Sequence, residues 1–496
     1  MPTTRRQALS AAVAFAATGT LPSTAVAAAR RREPLLRRGT FGSGVASGLP
    51  APQGATVWTR VGGLGDREAG KVRVELARDP DFRQTITRFT ARAAPVRDHV
   101  VRVDVGRHLR PGERAWYRFS TATGSSPVGR LTVPRPADSR EPVRIGFFSC
   151  QDFTHGTYAA HAGLAQEDLD LVVCLGDYVY ERDGQGQVEG RDVRVSAGED
   201  GQVETLAEYR ALYRRYRSDP QLQAMHAAHP FLAIWDDHEA ANDYDGEQGP
   251  ARRVPFSQRR RNGYLAWFEW MPFAPLVDDR FRIFRTLSLG AHADLLLLDG
   301  RQHRDRARGT MLGDAQRTWL LEQLQTSRAS WRIVANQTMC MANDLLPGRT
   351  NDTDGWDGFA RERRTILETV KAKGVQDVVL ATGDEHEFYA GTVSPTGRVD
   401  APAVATEVVA GAISSSAEAP GADRAVAAGA IELQAVANPH WAYADGARQG
   451  YGVFEAREDA LRVRLRGPRE VTDARSPTVT HATLTIPRGT PRVLVD

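Results

Sequence analysis

The chain has 496 residues, too many for one ordinary core, so two domains, or one large and one small, are expected. Its 41% hydrophobic and 25% charged composition is that of a soluble globular protein. A net charge of +3, from 64 basic and 61 acidic residues, excludes a strong field toward nucleic acid or membrane. The basic residues are Arg except for Lys71, Lys371 and Lys373, a bias that reads as genome composition. An Arg-rich pocket would also suit phosphate.

In chain order, residues 1–29 read as a targeting segment. Thr4-Arg5-Arg6-Gln7-Ala8-Leu9 fits a twin-arginine signal, a weakly apolar run follows over 11–21, and Ala25, Ala27 and Ala29 offer an A-x-A-like cleavage site. The run is too short and too rich in Ala and Thr for a transmembrane helix. The protein is therefore expected to leave the cytoplasm folded, through the twin-arginine export machinery, as a secreted or extracytoplasmic product. Its three cysteines, Cys150, Cys174 and Cys340, are an odd number for an exported chain and argue against a disulfide framework.

Residues 39–135 read as an N-terminal β-sandwich domain. The runs 56–58, 72–76, 100–103 and 116–119 alternate with turns containing Gly and Pro, and Pro134-Arg135-Pro136 looks like the closing linker. After residue 140 the pattern changes to short, almost fully apolar runs at 145–148, 171–175, 231–235, 295–298, 331–335 and 378–381. Helical stretches at 206–216, 259–271, 315–327 and 361–373 separate several of them, which predicts an α/β domain with buried strands. This domain is expected over 142–470, with a C-terminal β extension over 471–496. Residues 184–201, polar and Gly-rich, read as a surface loop.

Several apolar runs end in metal-capable side chains, and in α/β sheets ligands bind at the carboxyl ends of strands. Ser149-Cys150-Gln151 follows the first run, and Cys150 is either a buried structural thiol or a thiolate ligand. The second run leads into Gly176-Asp177-Tyr178-Val179-Tyr180-Glu181. Asp177 can bridge two ions, whereas Tyr180 as a phenolate needs a strong Lewis acid such as ferric iron, since its free pKa is about 10. The blander reading makes Asp177 a helix cap and Tyr180 a core residue. Cys174, inside the strand, is assigned to packing.

Trp235-Asp236-Asp237-His238-Glu239 is costly to bury without partners, and a metal with an anionic substrate would supply them. A helix capped by Asp236 is the alternative there. Asn242 and Asp243 extend the cluster. In Gly383-Asp384-Glu385-His386, Asp384 and His386 stand two apart, so both can face one ion. Two ions bridged by Asp177 would activate water and stabilise an in-line displacement. No G-x-S-x-G elbow or phosphate-cradling P-loop occurs.

These four clusters resemble the alkaline phosphatase D family of the calcineurin-like metallophosphoesterases. Further matches are 41–48 with Val57-Trp58-Thr59-Arg60, Asp299-Gly300-Arg301-Gln302-His303-Arg304, Met311-Leu312-Gly313 before Gln316 and Trp319, and Trp356-Asp357-Gly358-Phe359. They cover almost the whole chain after residue 40, in order.

The resemblance implies a small fibronectin III- or Ig-like sandwich followed by a metallophosphoesterase β-sandwich flanked by helices. It also implies Fe3+ and Ca2+ in a dinuclear or larger centre, with a tyrosine on ferric iron as in purple acid phosphatases. Carried over, Cys150, Asp177 and Tyr180 hold iron, with His386 as an additional ligand. Asp237, Asp384 and the bridging Asp177 serve calcium. These ligand types agree with the metals, thiolate and phenolate suiting iron and oxygen suiting calcium. His238 contacts the phosphate or protonates the leaving oxygen, and Arg361 is a candidate phosphate clamp. Two positions depart from the pattern. Glu385 stands where an apolar residue is usual, and Asp237 where the wider superfamily has Asn.

The expected activity is hydrolysis of small phosphomonoesters or phosphodiesters by metal-activated attack of water. A phospholipase D-like action on phospholipid head groups is the alternative within the same class. Outside it stand an exported binding or adhesion protein working through its first β domain, and a hydrolase using Cys150 as nucleophile. No stable nucleic-acid or membrane partner is implied.

Overall fold

The structure is a computed structural model describing residues 33–51, 54–182, 200–276, 279–351, 353–415 and 424–496. The targeting segment expected over 1–29, and the loop expected over 184–201 except for its last two residues, lie outside them. Among the described residues no helix is long and apolar enough to cross a membrane.

The first third of the chain forms strands β1 (Val45–Ala51), β2 (Gly54–Arg60), β3 (Gly70–Ala77), β4 (Thr85–Ala93), β5 (Val100–Asp104), β6 (Arg114–Ser120) and β7 (Gly129–Thr132). Alternation in β3 buries Val72, Val74 and Leu76 on one face, while Glu75 pairs with Arg88 and Arg118 on the other. Next come β8 (Val143–Phe148), α1 (Ala159–Gln166), β9 (Leu171–Cys174), α2 (Leu206–Tyr216), α3 (Pro220–Ala228), β10 (Pro230–Ala233) and α4 (Phe256–Trp270). They are followed by β11 (Arg285–Leu289), β12 (Ala293–Leu297), α5 (Gly313–Thr326), β13 (Trp331–Asn336) and the hairpin β14 (Asp344–Leu346) and β15 (Arg349–Thr350). The last elements are α6 (Ala360–Ala372), β16 (Val378–Thr382), β17 (Phe388–Val393), β18 (Ala405–Ala410), α7 (Arg424–Ala437), β19 (Trp441–Asp445), β20 (Tyr451–Ala456), β21 (Ala460–Pro468), β22 (Thr478–Pro487) and β23 (Leu494–Val495).

Two large sheets share one core. The ten-stranded sheet runs β23-β22-β21-β20-β8-β9-β10-β1-β2-β5, and the seven-stranded sheet runs β11-β12-β13-β16-β18-β17-β19. In the seven-stranded sheet Leu295, Leu297, Ile333, Ala335, Val379 and Ala381 join the core shared with the first sheet. Their alternate neighbours Leu296, Leu298, Val334, Val378 and Leu380 cover α5 and α6. Both faces are buried, so these strands read as unbroken apolar runs.

The small β region packs two sets of strands over a core of its own. Strands β4-β3-β6-β7 form their own sheet, but β1, β2 and β5 belong to the ten-stranded one. The junction is a parallel pairing of Ser47 with Pro230 and Gly48 with Phe231. Val45, Val57 and Val101 face the small core, whereas Ala46, Trp58 and Val100 face the large one. The expected C-terminal extension likewise supplies β22 and β23 to the edge of that sheet.

His229, just after α3, tests the packing at this junction. Its Nε2 is 2.9 Å from the Leu164 carbonyl and its Nδ1 is 3.3 Å from Arg130 Nη2. Burial, then the Arg130 charge, push its pKa from 6.5 down to about 4. The unfolded chain therefore takes up the proton first. The stability His229 contributes is fully present above pH 6.5 and is lost as pH falls toward 4. The expected slope approaches about 1.4 kcal/mol per pH unit. Denaturant titrations across this window should show a shallower pH dependence for His229→Gln, and equal slopes would discount the histidine.

Candidate metal centre

Strands β8, β9 and β10 are parallel neighbours, so their carboxyl ends lie side by side. The loops after them carry Cys150, Asp177 and Asp236-Asp237-His238, and the loop after β16 brings Asp384 and His386 from the other sheet. Two glycines permit the close approach. A Cβ on Gly176, whose φ is +122°, would stand 2.5 Å from the Asp236 Cβ, and one on Gly383 would stand 2.7 Å from that of Ser149.

No helix starts at Asp177 or Asp236, so neither is a cap; both strands end in tight, non-helical turns. Cys150, Asp177, Asp243, Asp384 and His386 all have φ between 54° and 69°. This left-handed backbone costs about 1–3 kcal/mol at a residue with a Cβ and clusters at functional sites.

Three groups of donor atoms, each within 4.8 Å of one another, occur among the described residues: Cys150, Asp177 and His386; Asp177, Asp237 and His238; Asp177, Asp236 and Asp384. Asp177 belongs to all three. Its Oδ2 is 3.6 Å from Cys150 Sγ and 3.1 Å from the Tyr180 hydroxyl, which is 3.3 Å from His386 Nε2. Asp177 Oδ1 and Asp236 Oδ2 are buried without a hydrogen-bond partner. A cavity of about 520 Å³ is lined by Asp177, Tyr180, Asp237, His238, Asp384 and His386, with Cys150 fully buried beside Asp177.

Electrostatics make the same point. Burial, opposed by His238 and reinforced by Asp237 and Asp236, pushes Asp177 well above the usual carboxylate range. Burial, then Asp236, does so for Asp384. Burial followed by Asp177 raises both the Cys150 thiol and the Tyr180 phenol. Without a cation this set resists ionisation, and a bound cation reverses the balance for every member. The donors therefore fit a metal. A buried thiol held protonated in this way is a poor free nucleophile, which counts against a Cys150 nucleophile.

His238 is set apart by its partner. Its Nδ1 lies 2.7 Å from Glu181 Oε2, and the other Glu181 oxygen accepts from the Asn242 amide at 2.9 Å. Burial opposes its protonation, but Asp237, Glu181 and Asp177 raise its pKa well above 6.5. Burial likewise works against ionised Glu181, yet His238 holds it below the usual range. The ring therefore donates from Nδ1, and the residue lines the cavity. Asp237 accepts from the His238 amide at 2.9 Å and the Asp243 amide at 2.7 Å. Against its burial, Arg301 and His238 keep it ionised.

The structure thus brings together Cys150, Asp177, Tyr180, Asp237, His238, Asp384 and His386. It does not bring in Arg361. That side chain is exposed at the start of α6, donates to the Arg308 carbonyl at 2.9 Å, and is absent from the cavity lining. Helix phase turns it outward, while its neighbours Glu362 and Arg363 are buried. Among the described residues, the arginine in the cavity lining is Arg182. Asn242, Asp243 and Glu385 also line the cavity. Cys174 packs within β9, its thiol 3.4 Å from the Gly176 carbonyl.

Four further residues shape the site. Fully buried Arg301 pairs with Asp236, lies 2.7 Å from Asp354 and reaches Asp237 at 3.8 Å. The Glu239 carboxylate accepts from the amides of Tyr178 at 2.6 Å, Asp236 at 2.8 Å and Asp177 at 3.2 Å, tying the loops after β9 and β10 together. Glu181 and Asp236 complete the set. Asp236, Glu181 and Glu239 lay within clusters visible in the sequence, but only tertiary contacts separate a metal donor from a residue that holds one.

Comparison with known proteins follows the same lines. The family model of the PhoD-like phosphatases matches residues 145–465, and that of their N-terminal domain matches residues 25–134. Alkaline phosphatase D of Bacillus subtilis (strain 168) is 34% identical over 382 residues, which are 71% of this chain and 65% of that protein's length. A solved structure of PhoD superposes with a TM-score of 0.83 at 28% identity, over 93% of both chains. A purple acid phosphatase from yellow lupin (Lupinus luteus) seeds superposes with a TM-score of 0.54 at 12% identity, over 90% of this chain and 74% of that one, and shows the fold alone. The mixed α/β architecture is therefore that of a metallophosphoesterase preceded by an all-β region. The chain belongs to the PhoD-like phosphatase family.

Proposed function

We propose that the protein is a metal-dependent phosphoesterase that hydrolyses small phosphomonoesters, phosphodiesters or both. The observation that carries this is Asp177, common to all three donor groups and buried with an unpartnered oxygen. Cys150, Asp177 and Tyr180, with His386, would hold Fe3+, while Asp237, Asp384 and Asp177 would hold Ca2+. Thiolate and phenolate suit the first metal and carboxylates the second. Bound there, the metals supply Lewis acidity that polarises the phosphoryl group and activates water for in-line attack.

The chain's own residues do the rest. Glu181 fixes the His238 ring through Nδ1, which would leave Nε2 for the ester. The proton on Nε2 goes to the leaving oxygen as the phosphorus–oxygen bond breaks. Arg301 holds Asp236 and Asp237 from behind, keeping two carboxylates ionised in a buried site. Glu239 keeps the loops after β9 and β10 at one spacing through three backbone amides. Export through the twin-arginine machinery, with removal of residues 1–29, rests on Thr4 to Leu9 and would deliver the protein outside the cytoplasm already folded.

The test compares bis(p-nitrophenyl) phosphate with p-nitrophenyl phosphate at alkaline pH with calcium, before and after chelation, on protein assayed for iron. Turnover lost on chelation and restored by calcium is expected, and the faster ester assigns the diester or monoester preference. Iron-containing protein that turns over neither ester would sink the proposal.

A further inference from the structure

The chain that leaves β18 crosses to the metal centre. Gly411, with φ at +62°, permits the turn, and Ala412 then pairs with Ser149 in a parallel bridge. Ala412, Ile413, Ser414 and Ser415 are all fully buried. The Ile413 amide donates to the Ser149 carbonyl at 3.1 Å, and the amides of Ser414 and Ser415 donate to the Cys150 carbonyl at 3.4 and 3.2 Å. This segment joins the end of a strand in the seven-stranded sheet to the loop after β8 in the ten-stranded one.

Two buried hydroxyls in such a place need hydrogen-bond partners, and they find different ones. Ser414 donates to the Asp152 carbonyl at 2.8 Å, which ties one backbone to another. Ser415 Oγ accepts from the Asp152 amide at 3.1 Å and lies 2.9 Å from both the Cys150 carbonyl and the Tyr180 phenol oxygen. A serine hydroxyl has one proton to give. The Cys150 carbonyl already receives two amides, so the hydroxyl is not needed to satisfy it.

The phenol oxygen is placed otherwise. Its further polar neighbours are Asp177 Oδ2 at 3.1 Å and His386 Nε2 at 3.3 Å. Ionised Asp177 can only accept, and both it and His386 are candidate ligands of the same ion. Among the described residues Ser415 is therefore the group positioned to hydrogen-bond a Tyr180 phenolate.

We propose that Ser415 is a positioning residue of the metal centre, donating its hydroxyl proton to the Tyr180 oxygen when the ion is bound. The bond fixes the direction of that ligand and weakens it as an electron donor. In the metal-free chain the phenol donates to Asp177, and Ser415 gives its proton to the Cys150 carbonyl. As the ion binds, the phenol proton leaves to solvent and the serine proton turns to the phenolate. An O–H donor to an anionic oxygen makes one of the stronger hydrogen bonds, more so in a buried site. That Tyr180 is a ligand of Fe3+ rests on the proposed metal assignment, whereas the placing of Ser415 on the phenol oxygen does not.

The experiment compares the unaltered protein with Ser415→Ala and Ser415→Thr, each loaded with ferric iron. A phenolate on Fe3+ absorbs visible light by charge transfer, and resonance Raman excited in that band reports the phenolate C–O stretch. Ser415→Ala should move the band to longer wavelength, because the phenolate electrons are then held less tightly. It should also lower iron affinity in competition with a chelator by about 10–100-fold. Ser415→Thr keeps the hydroxyl and should restore both. Transfer to heavy water should shift the C–O stretch of the unaltered protein, a measurement that needs no substitution and decides the matter where Ser415→Ala fails to fold. A band unmoved in Ser415→Ala, or a stretch insensitive to heavy water, would overturn the proposal even if iron affinity falls, since lost packing lowers affinity without touching the band. Iron-loaded protein with no charge-transfer band at all would reject Tyr180 as an iron ligand, and the proposal with it.

Discussion

Asp177→Asn is expected to reduce turnover of either nitrophenyl ester by at least about 10³-fold, equivalent to about 4 kcal/mol of activation barrier. The substitution keeps shape and one oxygen but removes the charge shared by all three donor groups. Metal content should fall with activity, because the remaining donors no longer include a bridging carboxylate. Stability offers a second readout with a distinctive sign. Stripped of metal, the parent chain carries a carboxyl that burial and its acidic neighbours push well above the usual range. An uncharged amide there removes a buried group that must otherwise be neutralised or left unpaired. The metal-free variant should therefore melt no lower than the metal-free parent, whereas the metal-loaded parent should melt higher than both. A variant that keeps its metals and its rate would show that Asp177 is not at the centre of the site.

His238→Asn should lower turnover by about 10²–10⁴-fold for esters with poor alkyl leaving groups. With p-nitrophenolate, which departs without much help from a proton, the loss should shrink to about tenfold or less. This contrast separates proton donation from simple phosphate contact, which would cost both substrates equally. Glu181→Gln should reproduce the pattern in weaker form, since the ring would keep a hydrogen bond at Nδ1 but lose the carboxylate that stabilises its protonated state. Equal losses across leaving groups would remove His238 from the proton-donor role.

The sequence was informative where chemistry interrupts an apolar run. Asp237, His238 and Asp384 stand at strand ends, where burial without partners is expensive, so their types marked them as candidates for a site. Cys150 was ambiguous for the opposite reason, because a thiol is at home in a core and only its contact with Asp177 gives it a role. Arg361 shows the converse. An arginine at a helix start is legible, but the direction of its side chain depends on helix phase relative to the core. Arg301 lies in a stretch that carries the family resemblance, but its role behind Asp236 depends on the fold.

The broad architecture divides along the same line. Alternation in the first third and continuous apolar runs afterwards were enough to call for a β region followed by an α/β sandwich, because strand period and two-sided burial are local properties. Which strands are neighbours is not local. That β1, β2 and β5 continue the large sheet through Ser47 and Gly48 follows from pairing with β10, about 180 residues away, and pairing leaves no mark on either strand's own pattern. By itself, then, the sequence determined the residue types and strand ends of a candidate metal site, since those answer to burial cost at each position. Only the tertiary structure decided which carboxylate sits among three donor groups and which histidine is held by Glu181, since each depends on distances between segments remote in the chain.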